Sequence, residues 1–200
     1  MNKSSHILMG RFLYQYAERH YKIRLEPRSY ILGNILPDYS PSFLIRPHFL
    51  KNNAAHVQNI IRLLLSRHPS AYNDKKYSRL LGVLCHFYAD FFCHVHREDF
   101  TGSLSEHFAY EKKLNRYFME NLNRFGSLHF ITQPVPVTRA EDIYRRFETL
   151  HSGYLLSHSS FGNDLMYAMI ACIDLIVMIT GYTAESGLAG DRRFKDLEAV

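Results

Sequence analysis

The sequence predicts an all-α protein built as a single domain. Apolar residues recur three and four positions apart along most of the chain, which is the spacing of amphipathic helices. No segment alternates apolar and polar residues with comparable regularity, so no sheet is expected. Two hundred residues, 46% hydrophobic and 22% charged, are enough to bury one core, and no repeat or long linker divides them. We therefore expect a bundle of about six helices spanning residues 1–200.

The first half of the chain contains three predicted helices. The first covers residues 5–21 and is followed by a connection that proline and glycine break, with one helical turn near residues 29–32. The second covers residues 52–67 and ends before Pro69. The third covers residues 76–96 and has the widest apolar face, so we expect it at the centre of the core.

Three more helices are predicted in the second half, at residues 105–124, 138–157 and 163–183. Thr138 and Glu141 have the spacing of a capping box at the start of the fifth helix. The sixth is the most apolar, but its apolar stretch is short for a membrane span and contains Asp174. We interpret it as a buried helix, with a single-span anchor as the alternative. Residues 187–200 are predicted to be a loosely held tail.

Charge and cysteine content narrow the functional classes. The net charge is +5 and the pI about 9.1, yet no run of five or six basic residues occurs, so a nucleic-acid-binding arm is not favoured. Three cysteines, an odd number, argue against a disulfide framework. No apolar signal-peptide segment opens the sequence, and we expect a cytoplasmic protein.

Histidines and acids at helical spacing are the main functional signal. Seven of the twelve histidines lie between His48 and His107. His86 and Asp90 are four residues apart on the third predicted helix, and His107 and Glu111 repeat that spacing on the fourth. Residues four apart share one helical face, with Cβ atoms about 5–6 Å apart, so each pair can reach one cation.

The surroundings of the first pair favour a metal over an ordinary surface ion pair. Either pair alone is most often a solvent-facing contact. His86 and Asp90, however, stand among apolar residues such as Phe87 and Phe91, where an unpaired carboxylate would be strongly destabilising. A metal ion would supply the missing positive charge. Imidazole combined with carboxylate favours zinc over calcium or magnesium.

Two further candidates lie on loops that proline stiffens. Asp38 ends the segment Gly-Asn-Ile-Leu-Pro-Asp at residues 33–38, and His48 follows Pro47. A metal ligand must hold one geometry, which a stiff loop provides. Asp38 by itself would equally suit a turn or a helix cap.

With His6, these residues form an ordered set that resembles the zinc-dependent phospholipase C family, whose wider superfamily includes fungal single-strand-specific nucleases. The matching residues are His6, the segment 33–38 that ends in Asp38, His48, His86, Asp90, His96, His107 and Glu111. The motif-bearing part covers about residues 1–115. The resemblance implies an all-α domain that holds three zinc ions in its core and hydrolyses phosphodiester bonds.

The resemblance also implies which residues bind each metal ion. One zinc ion would be held by His48, His86 and Asp90 with Asp38 near or on it, and a second by His96, His107 and Glu111. The family's third ion uses an N-terminal amino group, an early histidine and a bridging aspartate, which correspond here to the N-terminus, His6 and Asp90. The chain departs from the family here: the family has a tryptophan at the mature N-terminus, well ahead of that histidine, whereas Met1 stands only five residues before His6. Helical spacing from Asp90 favours His94 over His96, whereas the family spacing favours His96, which we adopt.

From these residues we expect a zinc-dependent phosphodiester hydrolase with two or three zinc ions, acting on a phospholipid or related substrate, with peripheral contact to a membrane. Asp38 is the expected catalytic residue, accepting or orienting the proton of the attacking water. One alternative is a nuclease-type phosphodiesterase, which would require a basic groove. The other is a non-catalytic domain in which zinc only joins helices.

Overall fold

A computed structural model of the chain describes residues 1–39, 47–66, 74–128, 130 and 137–197, with side chains up to residue 181. Within these ranges the secondary structure is helical and contains no strand, which confirms the all-α prediction. The α-helices described are α1 (Lys3–Tyr21), α2 (Pro27–Gly33), α3 (Leu36–Tyr39), α4 (Leu50–Leu65), α5 (Lys75–Phe91), α6 (Leu104–Gly126), α7 (Ala140–Leu156) and α8 (Phe161–Leu197). A 3₁₀ turn, His94–His96, lies between α5 and α6.

Side chains cap several of these helices. The Asn2 side chain accepts a hydrogen bond from the Ser5 N–H at the start of α1. Ser103 and Glu106 form a capping box on α6. At α7 the Thr138 N–H and hydroxyl donate to Asp142, so the capping acid is Asp142 and the predicted Glu141 pairing is wrong. The acid one residue further along reaches back because Arg139 at the N-cap is extended and donates its own N–H to Asp142 as well.

Two predicted helix ends are also wrong. The third predicted helix stops at Phe91, five residues before His96, because Phe92 leaves helical geometry and Cys93 is extended. No proline or glycine marks this break in the sequence. At the other end of the chain, α8 stays helical to Leu197, so the predicted end at residue 183 is too early and most of residues 187–200 belong to this helix.

Helix α8 is largely a core element. Its segment Phe161–Gly181 is long and apolar enough to cross a membrane by length and composition, and 72% of its most apolar window is buried inside the protein. It packs against α5, whose Leu84, Phe87 and Ala89 are fully buried. Helix α5 therefore lies at the centre, as its wide apolar face predicts.

Two glycines bring α2 and α5 into backbone contact. A Cβ atom at Gly33 would lie 2.1 Å from the Arg79 carbonyl oxygen, and one at Gly82 would lie 2.2 Å from the Tyr30 carbonyl oxygen. Any side chain at either position would force the helices apart. The contact sets the end of α2, and hence the segment from Asn34 to Asp38, directly beside the last turns of α5.

Substituting Gly82→Ala is expected to reduce the free energy of unfolding by about 1–3 kcal/mol, because the added methyl group overlaps the Tyr30 carbonyl. Urea unfolding followed by circular dichroism measures this loss. Gly181→Ala is the matched control, since no described atom lies within 4 Å of its added Cβ. That change is expected to be neutral or to stabilise α8 by up to about 1 kcal/mol. Equal losses in the two variants would show that the α2–α5 contact is not tight.

Candidate metal centre

The structure brings all eight predicted site residues into one cluster, although six different parts of the chain supply them. Helix α1 supplies His6, α3 supplies Asp38, the segment before α4 supplies His48, α5 supplies His86 and Asp90, the 3₁₀ turn supplies His96, and α6 supplies His107 and Glu111. Ligand atoms fall into three groups within which every pair lies closer than 4.8 Å. The groups are His6, Asp38 and His86; His48, His86 and Asp90; and His96, His107 and Glu111.

The group of His48, His86 and Asp90 is the most tightly packed. His48 Nδ1 lies 2.7 Å from Asp90 Oδ2 and 3.1 Å from His86 Nε2. His86 Nδ1 lies 2.9 Å from the carbonyl oxygen of Asn34, which can only accept a hydrogen bond. His86 therefore carries its proton on Nδ1 and turns the lone pair of Nε2 toward the cluster, as a metal-binding imidazole does.

The group around His6 shares His86 and extends toward solvent. His6 is fully buried and stacks on His86 with ring centroids 3.9 Å apart. Asp38 Oδ1 lies 3.8 Å from His86 Nε2 and 3.9 Å from His48 Nδ1. The Asp38 side chain is 21% exposed, compared with 0% for Asp90 and 9% for Glu111. Asp38 is thus the acid of the cluster that solvent reaches most easily.

The remaining group lies where the 3₁₀ turn meets α6. Glu111 Oε1 is 3.2 Å from both His96 Nε2 and His107 Nε2. His94, the alternative on helical spacing, packs its ring against Phe100 and Tyr110 and belongs to none of the three groups. The structure therefore places His96 in the cluster and not His94.

The α-amino nitrogen of Met1 connects the groups. It is buried, forms an ion pair with Asp90, and lies 3.1 Å from His96 Nε2 and 3.2 Å from Glu111 Oε1. His6 Nε2 lies 3.2 Å from Asp90 Oδ1, the oxygen that also faces this nitrogen. The arrangement matches the third ligand set that the sequence resemblance implies, even though methionine occupies the first position.

Comparison with known families agrees with this geometry. The family model described as zinc dependent phospholipase C matches residues 5–161. The chain belongs to the zinc-dependent phospholipase C family. Comparison with curated proteins and with solved structures finds no match. The matched range contains all eight residues of the cluster and ends at the first residue of α8.

The residues of this phospholipase C family member fit zinc on two observations of the structure. First, neither ring nitrogen of the buried His6 forms a hydrogen bond of normal geometry, although Nε2 lies 3.2 Å from Asp90 Oδ1 and buried polar atoms are nearly always paired. A metal ion would give that imidazole its missing partner. Second, the three groups combine imidazole nitrogens with carboxylate oxygens, which is the donor chemistry that zinc prefers.

The electrostatics hold Asp90 and His86 in the protonation states that a metal requires. Burial alone would raise the pKa of Asp90, but the charges of His96, the α-amino group and His6 keep that pKa well below its usual range. Burial, and then the charge of His6, hold the pKa of His86 well below its usual value. The acid is therefore ionised and the imidazole neutral, so both present lone pairs to a cation.

Two groups at the edge of the cluster have pKa values that are shifted away from the metal-binding protonation state. Burial raises the pKa of Asp38 above that of an ordinary aspartate. Burial lowers the pKa of His48, but the hydrogen bond and charge of Asp90, with the charge of Asp38, outweigh it and leave that pKa raised. An aspartate with a raised pKa is a stronger base once ionised.

An open cavity adjoins the His96 end of the centre. It has a volume of about 390 Å³. Its apolar walls are Leu50, Phe91 and Leu155, and its polar walls are His96, Arg97, Glu98, Asp99 and His151. A second cavity of about 160 Å³ shares Leu50 and Phe91 with the first. Apolar side chains line part of the first cavity and most of the second, and the first cavity begins beside the metal centre.

Sequence reasoning did not identify the residues outside the cluster that hydrogen-bond to the candidate metal ligands. Asn34 orients His86 through its carbonyl oxygen, and the Asn2 side chain donates to the Glu111 carbonyl oxygen at 3.3 Å. Asn34 stands within the Gly-Asn-Ile-Leu-Pro-Asp segment, which could have indicated it. The contact of Asn2 spans 109 residues and leaves no local pattern in the sequence.

Proposed function

We propose that the chain is a zinc-dependent phosphodiester hydrolase that acts on a phospholipid or a related substrate. The observation that carries this proposal is the position of Asp38. This partly exposed carboxylate lies at the edge of a buried histidine and carboxylate cluster, close to both His48 and His86. We further propose that the eight cluster residues hold two or three zinc ions, the third with the help of the Met1 nitrogen.

Each part of the cluster has a defined task in such a reaction. Bound zinc supplies positive charge for the phosphate oxygens and lowers the pKa of a water molecule toward about 7. Asp38 accepts the proton of the attacking water or holds that water in line with the phosphorus atom. His86 and Asp90, which are fully buried, keep their geometry without reorganisation and exclude bulk water.

The cavity beside His96 favours a lipid over a nucleic acid. Leu50, Phe91 and Leu155 offer apolar walls, which suit an acyl or alkyl group. Among the described residues that line either cavity, Arg97 alone is a lysine or arginine, and its guanidinium is bound by Asp99 at 2.9 and 2.7 Å. A nucleic-acid groove would instead need several unpaired cations along its length.

Zinc analysis combined with a comparison of substrates tests the proposal. Purified protein is expected to contain two or three zinc ions per chain and to hydrolyse a chromogenic phosphodiester and phosphatidylcholine vesicles faster than single-stranded DNA. Faster hydrolysis of DNA would favour the nuclease alternative. Full zinc content without hydrolysis of any substrate would favour the structural alternative, and protein without zinc after expression in zinc-supplemented medium would contradict the metal proposal.

Removing the metal is expected to lower the thermal midpoint by about 6–12 °C. Chelation leaves Asp90 and Glu111 buried beside histidines without a dication, and binding to the folded state alone typically contributes about 3 kcal/mol. Differential scanning calorimetry with and without EDTA measures the shift, and added zinc is expected to reverse it. An unchanged midpoint would argue that the cluster binds no metal tightly.

A further inference from the structure

One buried acid outside the cluster contacts two of the elements that carry it. Asp164 is fully buried near the start of α8, three residues beyond the range that the family model matches. Its carboxylate accepts hydrogen bonds from the His94 N–H at 2.8 Å, the Tyr110 hydroxyl at 2.9 Å and the Tyr154 hydroxyl at 2.9 Å. These donors belong to the 3₁₀ turn, to α6 and to α7.

The first contact fixes the turn that carries His96. The turn begins at His94 after the extended Cys93, and no side chain within it caps its first N–H groups. Asp164 Oδ2 accepts the His94 N–H and so satisfies a backbone donor that the turn itself leaves unpaired. His96, two residues later, is thereby directed back toward the cluster, where its Nε2 meets Glu111.

The second contact fixes the helix that carries the other two members of the same group. Tyr110 immediately precedes Glu111 and lies three residues after His107, so its position sets the rotation of this part of α6. The same oxygen, Asp164 Oδ2, binds both the His94 N–H and the Tyr110 hydroxyl. One carboxylate oxygen therefore joins the turn of His96 to the helix of His107 and Glu111.

Filling the hydrophobic core would not by itself require an acidic residue at position 164. A buried carboxylate loses its hydration, and an apolar side chain of similar size is usually no less stable when only a core must be filled. Asp164 instead has donors on both oxygens, all from groups whose placement affects α6, α7 or the turn. Such a fully hydrogen-bonded polar group defines one arrangement of the elements around it.

We propose that Asp164 is a positioning residue of the metal centre, which holds the His94–His96 turn and α6 at the separation that lets His96, His107 and Glu111 share one ion. The inference rests on the zinc site proposed above and extends it to a residue outside the matched family range. Substituting a residue that orients a metal ligand commonly changes the metal affinity by about 10–100-fold.

The test compares two buried acids on the same helix. Asp164→Ala removes the oxygens that accept hydrogen bonds from the turn and from α6, whereas Asp174→Ala removes a buried carboxylate that binds Arg146 at 2.6 Å, on α7, and contacts no described residue of the cluster. Each variant and the parent protein is stripped with a chelator and titrated with Zn²⁺ against a competing chelator. A second sample is loaded with Co²⁺ and its visible absorption spectrum is recorded.

Asp164→Ala is expected to weaken the binding of one ion by about tenfold or more and to change the Co²⁺ spectrum, while Asp174→Ala leaves both unchanged. Unchanged zinc affinity and spectrum in Asp164→Ala would overturn the proposal and leave Asp164 a purely structural residue. If Asp164→Ala does not fold, Tyr110→Phe decides instead. It removes the hydroxyl that binds Asp164, so unchanged zinc affinity and spectrum in that variant would overturn the proposal. Because the readout is metal binding, a parent protein that binds zinc but hydrolyses no phosphodiester would defeat the proposed function without affecting this result.

Discussion

Replacing Asp38 with asparagine is expected to lower the turnover of a phosphodiester substrate by about 10²–10⁴-fold while zinc content stays nearly unchanged. Asparagine has the same shape and keeps one oxygen near His48 and His86, but it cannot accept a proton. Buried Asp90 remains to hold the neighbouring imidazoles together. Steady-state hydrolysis of the chromogenic phosphodiester and elemental analysis of the same sample measure the two quantities.

The matched control for Asp38→Asn is Glu120→Gln, which neutralises an exposed acid on α6 that lies outside the metal-ligand groups. This control is expected to leave turnover within about twofold of the parent, since exposed charges contribute little. A fall in zinc content that parallels the loss of activity in Asp38→Asn would show that Asp38 acts primarily as a ligand. Full activity in Asp38→Asn would remove it from the mechanism.

Replacing Asp90 with asparagine is expected to have the largest effect on metal content and stability together. Asp90 is fully buried, and its two oxygens contact the Met1 nitrogen, His6, His48 and His86. Loss of its charge leaves several buried cationic or polar groups without their shared negative partner, which typically costs about 3–5 kcal/mol. We expect at least one zinc ion per chain to be lost and the free energy of unfolding to fall by that amount.

Elemental analysis and urea unfolding of Asp90→Asn measure these losses, with Asp174→Asn as the comparison. Asp174 is also a buried acid with a cationic partner, Arg146, so its loss is expected to destabilise the fold without removing zinc. The contrast between the two variants separates the effect of metal binding from that of burying a charge. Normal zinc content in Asp90→Asn would contradict its place at the centre of the cluster.

The local part of the site was predictable from the chain because it depends on helical spacing. His86 with Asp90, and His107 with Glu111, each lie four residues apart, and the structure gives both pairs a common helical face. The order of the remaining residues was sufficient to suggest the family that the comparison then showed. The long helices were predicted for the same reason, since their apolar residues repeat with the helical period.

Helix ends near the site were less predictable. The break after Phe91 has no proline or glycine signal, and helical spacing alone would have selected His94 as a ligand. In the structure the His94 N–H is held by Asp164, seventy residues further along the chain. A contact over that distance leaves no local pattern, so helical periodicity pointed to a histidine that the structure places outside the cluster.

The sequence by itself determined which residue types could bind a metal, which of them share a helical face, and that the fold is helical. Only the tertiary structure decided that α2 lies against α5 through Gly33 and Gly82, which places Asp38 beside His86. It also decided that the Met1 nitrogen enters the cluster and that a partly apolar cavity opens at His96. The division has a physical reason: spacing along one helix depends on neighbouring residues, whereas convergence of six chain segments depends on packing between residues far apart in sequence.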